Sequence, residues 1–240
     1  MINTALSIAA AVVTFLAFWL SGVRAWQSAL PALVALVAAF ILLARRTVKQ
    51  LEVVMNLAQK ELQAKKPDRA VEALKSAFPL GRWQFLVDGQ LQGQLGAILY
   101  IQKKFEEAEP YLVKSFIKIW PARAMLGAQH YRRKEWAKME DVFEGAIKSN
   151  KNEGLLYAVY AWCQDKRGER KKAIDILQRG AKEIPSDEKL KNLLNRTQND
   201  KRRKLEAWGE QWWQFWLETP PAMMPQGGFG GGRQVKWNRR

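Results

Sequence analysis

Residues 170–181 read RKKAIDILQRGA, and three earlier stretches share their pattern: residues 67–77 (PDRAVEALKSA), 104–115 (KFEEAEPYLVKS) and 135–146 (EWAKMEDVFEGA). Aligned on Ala70, Ala108, Met139 and Ala173, they recur at spacings of 38, 31 and 34 residues. Each follows an apolar helical stretch in which Leu57-Ala58, Leu95-Gly96, Leu126-Gly127 and Tyr160-Ala161 hold equivalent places. A period of this length predicts a solenoid, because one helix pair cannot bury its apolar face alone and must stack on its neighbours. The small residues fall where two helices should cross, since a larger side chain there would hold the backbones apart.

These residues resemble the tetratricopeptide repeat family, whose unit is an antiparallel helix pair with a small residue at the crossing. Gly96, Gly127 and Ala161 look like the small residue of the first helix, and Ala70, Ala108 and Ala173 like that of the second. Pro185 and Pro121 resemble the proline that ends the family's unit. The resemblance covers residues 51–188, with two departures. Met139 replaces the small residue of the third unit, and Pro110 inside the second unit should remove a backbone bond and kink its helix.

The family resemblance implies a protein-binding scaffold whose concave face, lined by the first helix of each unit, holds a peptide or a helix. Projected onto this sequence, that face carries Tyr100, Tyr131, Arg132, Trp162 and Lys166. Such residues either clamp a partner segment or pack between adjacent helices, and the sequence leaves both open. The Lys and Asn set by which some members grip a chaperone's terminal carboxylate has no counterpart that can be placed here.

Ahead of the repeats stand two uncharged apolar runs, residues 2–23 and 25–44, separated by Arg24 and closed by Arg45, Arg46 and Lys49. Each has about the 20 residues needed to cross a bilayer as a helix, so a transmembrane hairpin is expected over residues 1–45. A cleaved signal peptide is disfavoured: no Lys or Arg precedes the first run, and residues 21–26 match an A-x-A cleavage site poorly. Ser28 can cap the second helix, with Pro31 in its first turn. Trp19 and Trp26 flank the connection at the depth of the lipid headgroups, and Arg45 and Arg46 mark the other interface. Because cations concentrate after the second run, the expected orientation places both termini and the repeats in the cytoplasm, at a bacterial inner membrane. No Gly or Pro lies between Ala32 and Lys66, so the second span should continue into the first repeat helix.

After residue 188 comes KRRK at 201–204, followed by AWGEQWWQFWLETPP. On one continuous helix, Leu205, Trp208, Trp212, Phe215 and Trp216 share a face widened by Trp213 and Leu217, and Glu206, Glu210, Gln214 and Glu218 take the other. So dense an aromatic stripe needs a partner: the protein's own solenoid, whose last repeat requires a cap, another subunit, or the inner leaflet. A final helix from Ser186, capped by its hydroxyl, precedes it. Beyond Pro225, the Gly-rich basic residues cannot build a core. Their four cations with Phe229 and Trp237 are too weak a signal to predict nucleic-acid binding.

The chain of 240 residues carries a net charge of +16, of which residues 189–240 hold +7. Cys163 and His130 are the single cysteine and histidine, which excludes an internal disulfide and a zinc site built from Cys and His. Gly227–Gly232 lacks the Lys-Ser/Thr of a phosphate loop and reads as a linker. The cluster Glu106, Glu107 and Glu109 reads as a solvated helix face, and Asn195-Arg196-Thr197, a glycosylation pattern, lies on a helix expected to face the cytoplasm.

The sequence therefore predicts an all-α chain: a transmembrane helical hairpin (1–45), a tetratricopeptide-like α-solenoid of about four helix pairs (46–188), a capping helix with a Trp-rich amphipathic helix (189–219), and a flexible basic tail (220–240). Expected is a membrane-anchored scaffold or assembly factor for protein partners, neither an enzyme nor a carrier of a cofactor or metal. Partner-binding candidates are the five groove residues together with Trp208, Trp212, Phe215 and Trp216. Two alternatives stand beside it: an accessory structural subunit of a large membrane complex, or, with the opposite orientation, a periplasmic assembly factor of the cytochrome c maturation type.

Overall fold

The computed structural model describes residues 2–83, 85–199 and 205–219, with residues 85, 205 and 206 described as backbone alone. Among the described residues every regular element is helical. The basic run at 201–204 and the tail at 220–240 lie outside the described residues.

Helix α1 (Ile2–Leu20) folds back on α2 (Ala25–Gln63), a single helix of 39 residues. The expected continuation of the second span into the first repeat is thus present as one helix, about 58 Å long at 1.5 Å per residue. Its start differs from expectation. The helix begins at Ala25, so Ser28 bonds back to the Arg24 carbonyl without capping, and Pro31 lies inside the helix.

The hairpin is built with its polarity reversed relative to a soluble core. Asn3, Ser7, Ser28 and Thr47 are buried, and Asn3 Nδ2 donates to Thr47 Oγ1 at 3.0 Å, tying the start of α1 to the end of the apolar part of α2. Val12, Val13, Leu16, Leu30, Leu33, Val34, Val37 and Leu42 all face outward. Small polar residues allow close helix approach and bond across it, while the apolar side chains are left for the surroundings.

Four helix pairs follow as a solenoid. The end of α2 packs on α3 (Pro67–Ser76), α4 (Phe85–Ile101) on α5 (Phe105–Lys114), α6 (Trp120–Arg132) on α7 (Trp136–Ser149), and α8 (Gly154–Arg167) on α9 (Arg170–Glu183). A short 3-10 segment, Phe78–Arg82, accounts for the longer first spacing. The small residues stand where the pattern placed them: Ala70, Ala108 and Ala173 are fully buried. A Cβ on Gly96 would come within 2.8 Å of Leu112, and one on Gly127 within 2.5 Å of the Phe143 ring. Leu112 and Phe143 lie four residues after Ala108 and Met139, and their counterparts Leu74 and Leu177 are likewise buried. The residue four positions after the small one is therefore the knob that enters the first helix's gap. Met139 is tolerated as a fully buried side chain, and α5 remains one helix with Pro110 inside it.

Within each pair the turn is the same. Lys65, Lys103, Lys134 and Gly168 adopt φ of 57°, 64°, 59° and 97°, each five residues before the repeat's small position. In each, the next amide bonds five residues back in the helix-ending manner: Lys66 to Glu61, Lys104 to Leu99, Glu135 to His130 and Glu169 to Gln164. Ion pairs then stitch neighbouring units, with Arg133 on Glu106 and Glu109, and Arg167 on Glu140.

Helix α10 (Glu188–Gln198) closes the solenoid by laying Leu190 over Gly180 and burying Leu193 and Thr197. Its cap is Asp187, whose carboxylate accepts the Leu190 amide, in place of the expected Ser186. The Trp-rich stretch is not one continuous helix. A 3-10 turn, Leu205–Trp208, breaks at Gly209 with φ of 58°, a single helical turn α11 (Glu210–Trp213) follows, and Trp216 turns the chain again with φ of 51°.

Candidate functional site

The concave face expected to bind a partner and the aromatic stripe expected to need one occupy each other. Tyr100 and Ile101 close α4, Tyr131 and Arg132 close α6, and Trp162 lies on α8, so the ends of three successive first helices converge. Residues 212–218 lie in that groove, with Trp212 and Phe215 1% exposed; Trp208, 9% exposed, belongs to the 3-10 turn that packs on α10. The stripe is thus buried intramolecularly, as one of its three expected partners required. It fills the groove, however, and the solenoid's end is capped by α10.

The grip on the segment falls largely on its main chain. Arg132 Nη2 donates to the carbonyl of Phe215 at 2.7 Å and to that of Trp216 at 3.1 Å, and Tyr100 Oη donates to Phe215 at 2.8 Å. These carbonyls end a helical turn and have no intrahelical donor, so a guanidinium is their natural partner in charge and geometry. Arg132 is itself positioned by stacking over Phe105, 4.1 Å from the ring centroid, and by donating to Tyr100 Oη at 3.0 Å. Burial pushes the Tyr100 hydroxyl well above the usual phenol range, partly offset by the Arg132 charge, so it stays a neutral donor.

Side chains supply the rest. A ladder of rings runs from Trp136 through Tyr131 (5.8 Å), Trp162 (5.5 Å), Trp212 (5.8 Å) and Phe215 (6.5 Å), mostly edge to face, the arrangement that ring quadrupoles favour. The Glu218 carboxylate accepts two indole N–H groups, Trp162 at 3.0 Å and Trp212 at 3.2 Å. Trp216 donates its indole N–H to the Ile101 carbonyl at 3.2 Å while Lys103 Nζ lies 4.1 Å over its ring. Lys166 is exposed, with Nζ 5.6 Å from the Trp162 ring centroid. Cys163, beneath this surface, is fully buried, and desolvation raises its thiol pKa, which keeps it unreactive.

Whereas Trp208 lies on the 3-10 turn that packs on α10, all five groove residues therefore come together with Trp212, Phe215 and Trp216 in one region. Glu218, Lys103 and Phe105 belong to it as well, and the sequence reading missed them. A continuous helix would carry Glu218 to the face opposite the tryptophans; the left-handed Trp216 turns it back onto them. Lys103 is placed here by its left-handed turn, for which lysine carries no sequence signal. The four interface residues lie elsewhere: Trp19 and Trp26 are 54% and 71% exposed beside the hairpin turn, and Arg45 and Arg46 are exposed at the far end of the apolar stretch. Among the described residues no group of three or more His, Cys, Asp or Glu side chains is placed to hold a metal ion.

No family model matches the sequence, and no curated protein matches it. Among solved structures, the chain is similar to one described as "MamA RS-1 ArsTM double mutant", at 18% identity and a TM-score of 0.47, over 69% of this chain and 92% of that one.

Proposed function

We propose that this chain is a membrane-anchored tetratricopeptide-like scaffold that binds protein partners beside a bacterial inner membrane, with its repeats and both termini in the cytoplasm. The observation that carries the reading is the inverted hairpin. Its two helices are long and apolar enough to cross a bilayer, yet only 11% of either apolar window is buried, where the core helix of a soluble protein would be mostly covered. Because α2 is unbroken from the span into the first repeat, the solenoid is held at a set distance and angle from the bilayer. A groove that grips main-chain carbonyls is suited to holding segments of other proteins, and the role proposed is binding rather than catalysis.

Orientation rests on Arg45, Arg46 and Lys49 after the second span against Arg24 alone in the connection. A reporter fused after Arg240 is expected to be active in the cytoplasm, and protease added to intact spheroplasts is expected to leave the repeats uncut. Cleavage from outside would overturn the orientation and restore the periplasmic alternative. A photo-crosslinker at Tyr131 is expected to capture protein partners in native membranes.

One observation favours a second reading, an accessory subunit of a larger membrane complex. Val53 and Leu57, on α2 beyond the apolar stretch, are 68% and 48% exposed, an apolar surface that a stable neighbour would cover. Native sizing after mild detergent extraction separates the two: a free monomer or small homo-oligomer supports the scaffold, and co-migration in a large complex supports the subunit.

A further inference from the structure

We propose that residues 212–218 are a built-in occupant of the groove, and that a partner segment of the same chemistry displaces them: a helical turn bearing large aromatic side chains, followed by a carboxylate that accepts the Trp162 indole N–H. This rests on the reading of the groove as a protein-binding surface, and it specifies the ligand.

The site's demands are written in the contacts it makes. Arg132 and Tyr100 hold carbonyl oxygens, which any chain ending a helical turn offers. Trp162 selects an aromatic ring at 5.8 Å and donates to a carboxylate at 3.0 Å. A ligand thus needs the end of a helical turn, a ring against Trp162, and an acidic group close after it. Within this chain, Trp212, Phe215 and Glu218 supply that set.

The resident supplies it imperfectly. Trp216 is a bulky residue held in the left-handed region, which L side chains rarely adopt. Trp213 Nε1 and Arg132 Nη1 are buried without a hydrogen-bond partner among the described residues. An unpaired buried donor is unfavourable. A partner segment that brings an acceptor to Arg132 Nη1 and avoids the left-handed residue binds better than the segment it replaces. Departure of the resident requires no repeat to unfold, because the segment is one helical turn and the few residues after it, and forms neither member of any helix pair.

The test uses the full chain in detergent or lipid nanodiscs and a fluorescein-labelled peptide of residues 207–219, AWGEQWWQFWLET. Trp212→Ala with Phe215→Ala weakens the resident while leaving every groove residue intact. Since apparent affinity scales with the fraction of open groove, the double variant is expected to bind the peptide at least about tenfold more tightly than the natural chain. Adding Arg132→Ala should then weaken binding by at least about tenfold, the scale on which a charged donor is lost. Equal binding by the natural chain and the double variant, or binding indifferent to Arg132→Ala, overturns the proposal. Should the double variant lose its helical signal, hydrogen exchange of the natural chain decides. Amides of residues 210–216 are expected to exchange at least about tenfold faster than the slowest amides of α8, through local opening; equal protection overturns it. A protein partner crosslinked at Tyr131 while the peptide fails to bind would refute this ligand chemistry and leave the scaffold reading standing.

Discussion

Gly127→Ala and Gly145→Ala are the same substitution in neighbouring helices, and they should change stability in different directions. Both glycines lie inside helices, α6 and α7, so both variants gain the helix-propensity difference of about 1 kcal/mol between Ala and Gly. At Gly145 the new methyl meets only Ile117 Cδ1, at 3.9 Å, which is ordinary contact. At Gly127 it would lie 2.5, 2.7 and 2.8 Å from three carbons of the Phe143 ring. That ring cannot retreat: it is fully buried and stacks on Tyr160 with centroids 4.9 Å apart and planes at 13°. Overpacking of this kind costs about 1–3 kcal/mol, and because the propensity gain is common to both variants, that figure is also the difference between them. For a chain of this size about 1 kcal/mol corresponds to roughly 2–4 °C. Gly127→Ala should therefore melt about 2–12 °C below Gly145→Ala, which should itself melt slightly above the natural protein. The assay is far-ultraviolet circular dichroism of the full chain in detergent against temperature, with denaturant titration as a check. Equal melting of the two variants, or greater stability of Gly127→Ala, would show that the helix crossing of the third unit is not packed as described.

Lys134→Gly is expected to stabilise the protein by about 0.5–1 kcal/mol, because it relieves a left-handed lysine at φ of 59° and gives back part of that gain as unfolded-chain entropy; a lowered melting temperature would contradict this. Glu140 has its carboxyl pKa held below the usual range first by the Gln164 hydrogen bond and then by Lys172 and Arg167, against desolvation, which raises it. A depressed folded-state pKa contributes stability above the ordinary carboxylate value and loses it as pH falls through the folded value. Glu140→Gln should therefore destabilise the protein at pH 7, with the difference from the natural chain narrowing in denaturation experiments carried down to about pH 3; a difference that stays constant with pH would refute the assignment.

Period and side-chain volume were sufficient for the solenoid. Alanine and glycine at matched intervals have few explanations other than helices in close contact, and Gly96, Gly127, Ala70, Ala108 and Ala173 lie at those contacts. The hairpin was legible for a similar reason, since an uncharged run of about 20 residues is a local property. The repeated left-handed turn at Lys65, Lys103 and Lys134 was less legible, because lysine carries no composition signal for positive φ; only Gly168, at the equivalent place, hinted at it.

The groove divides between the two levels of information. Which residues line it followed from the repeat register, and that the aromatic stripe needed burial followed from its composition. Where the stripe goes was a tertiary decision. Helical periodicity treats residues 205–217 as one rod, and a rod would have placed Glu218 away from the tryptophans. Gly209 and Trp216 break it with two positive-φ residues, and the turn at Trp216 is held in part by contacts distant in sequence: Tyr100 and Arg132 on the Phe215 carbonyl, and Ile101 on the Trp216 indole. A local pattern can specify how much apolar surface must be buried, but the partner is chosen by the three-dimensional surface that the rest of the chain assembles. Here that surface exists only after three helix pairs have stacked.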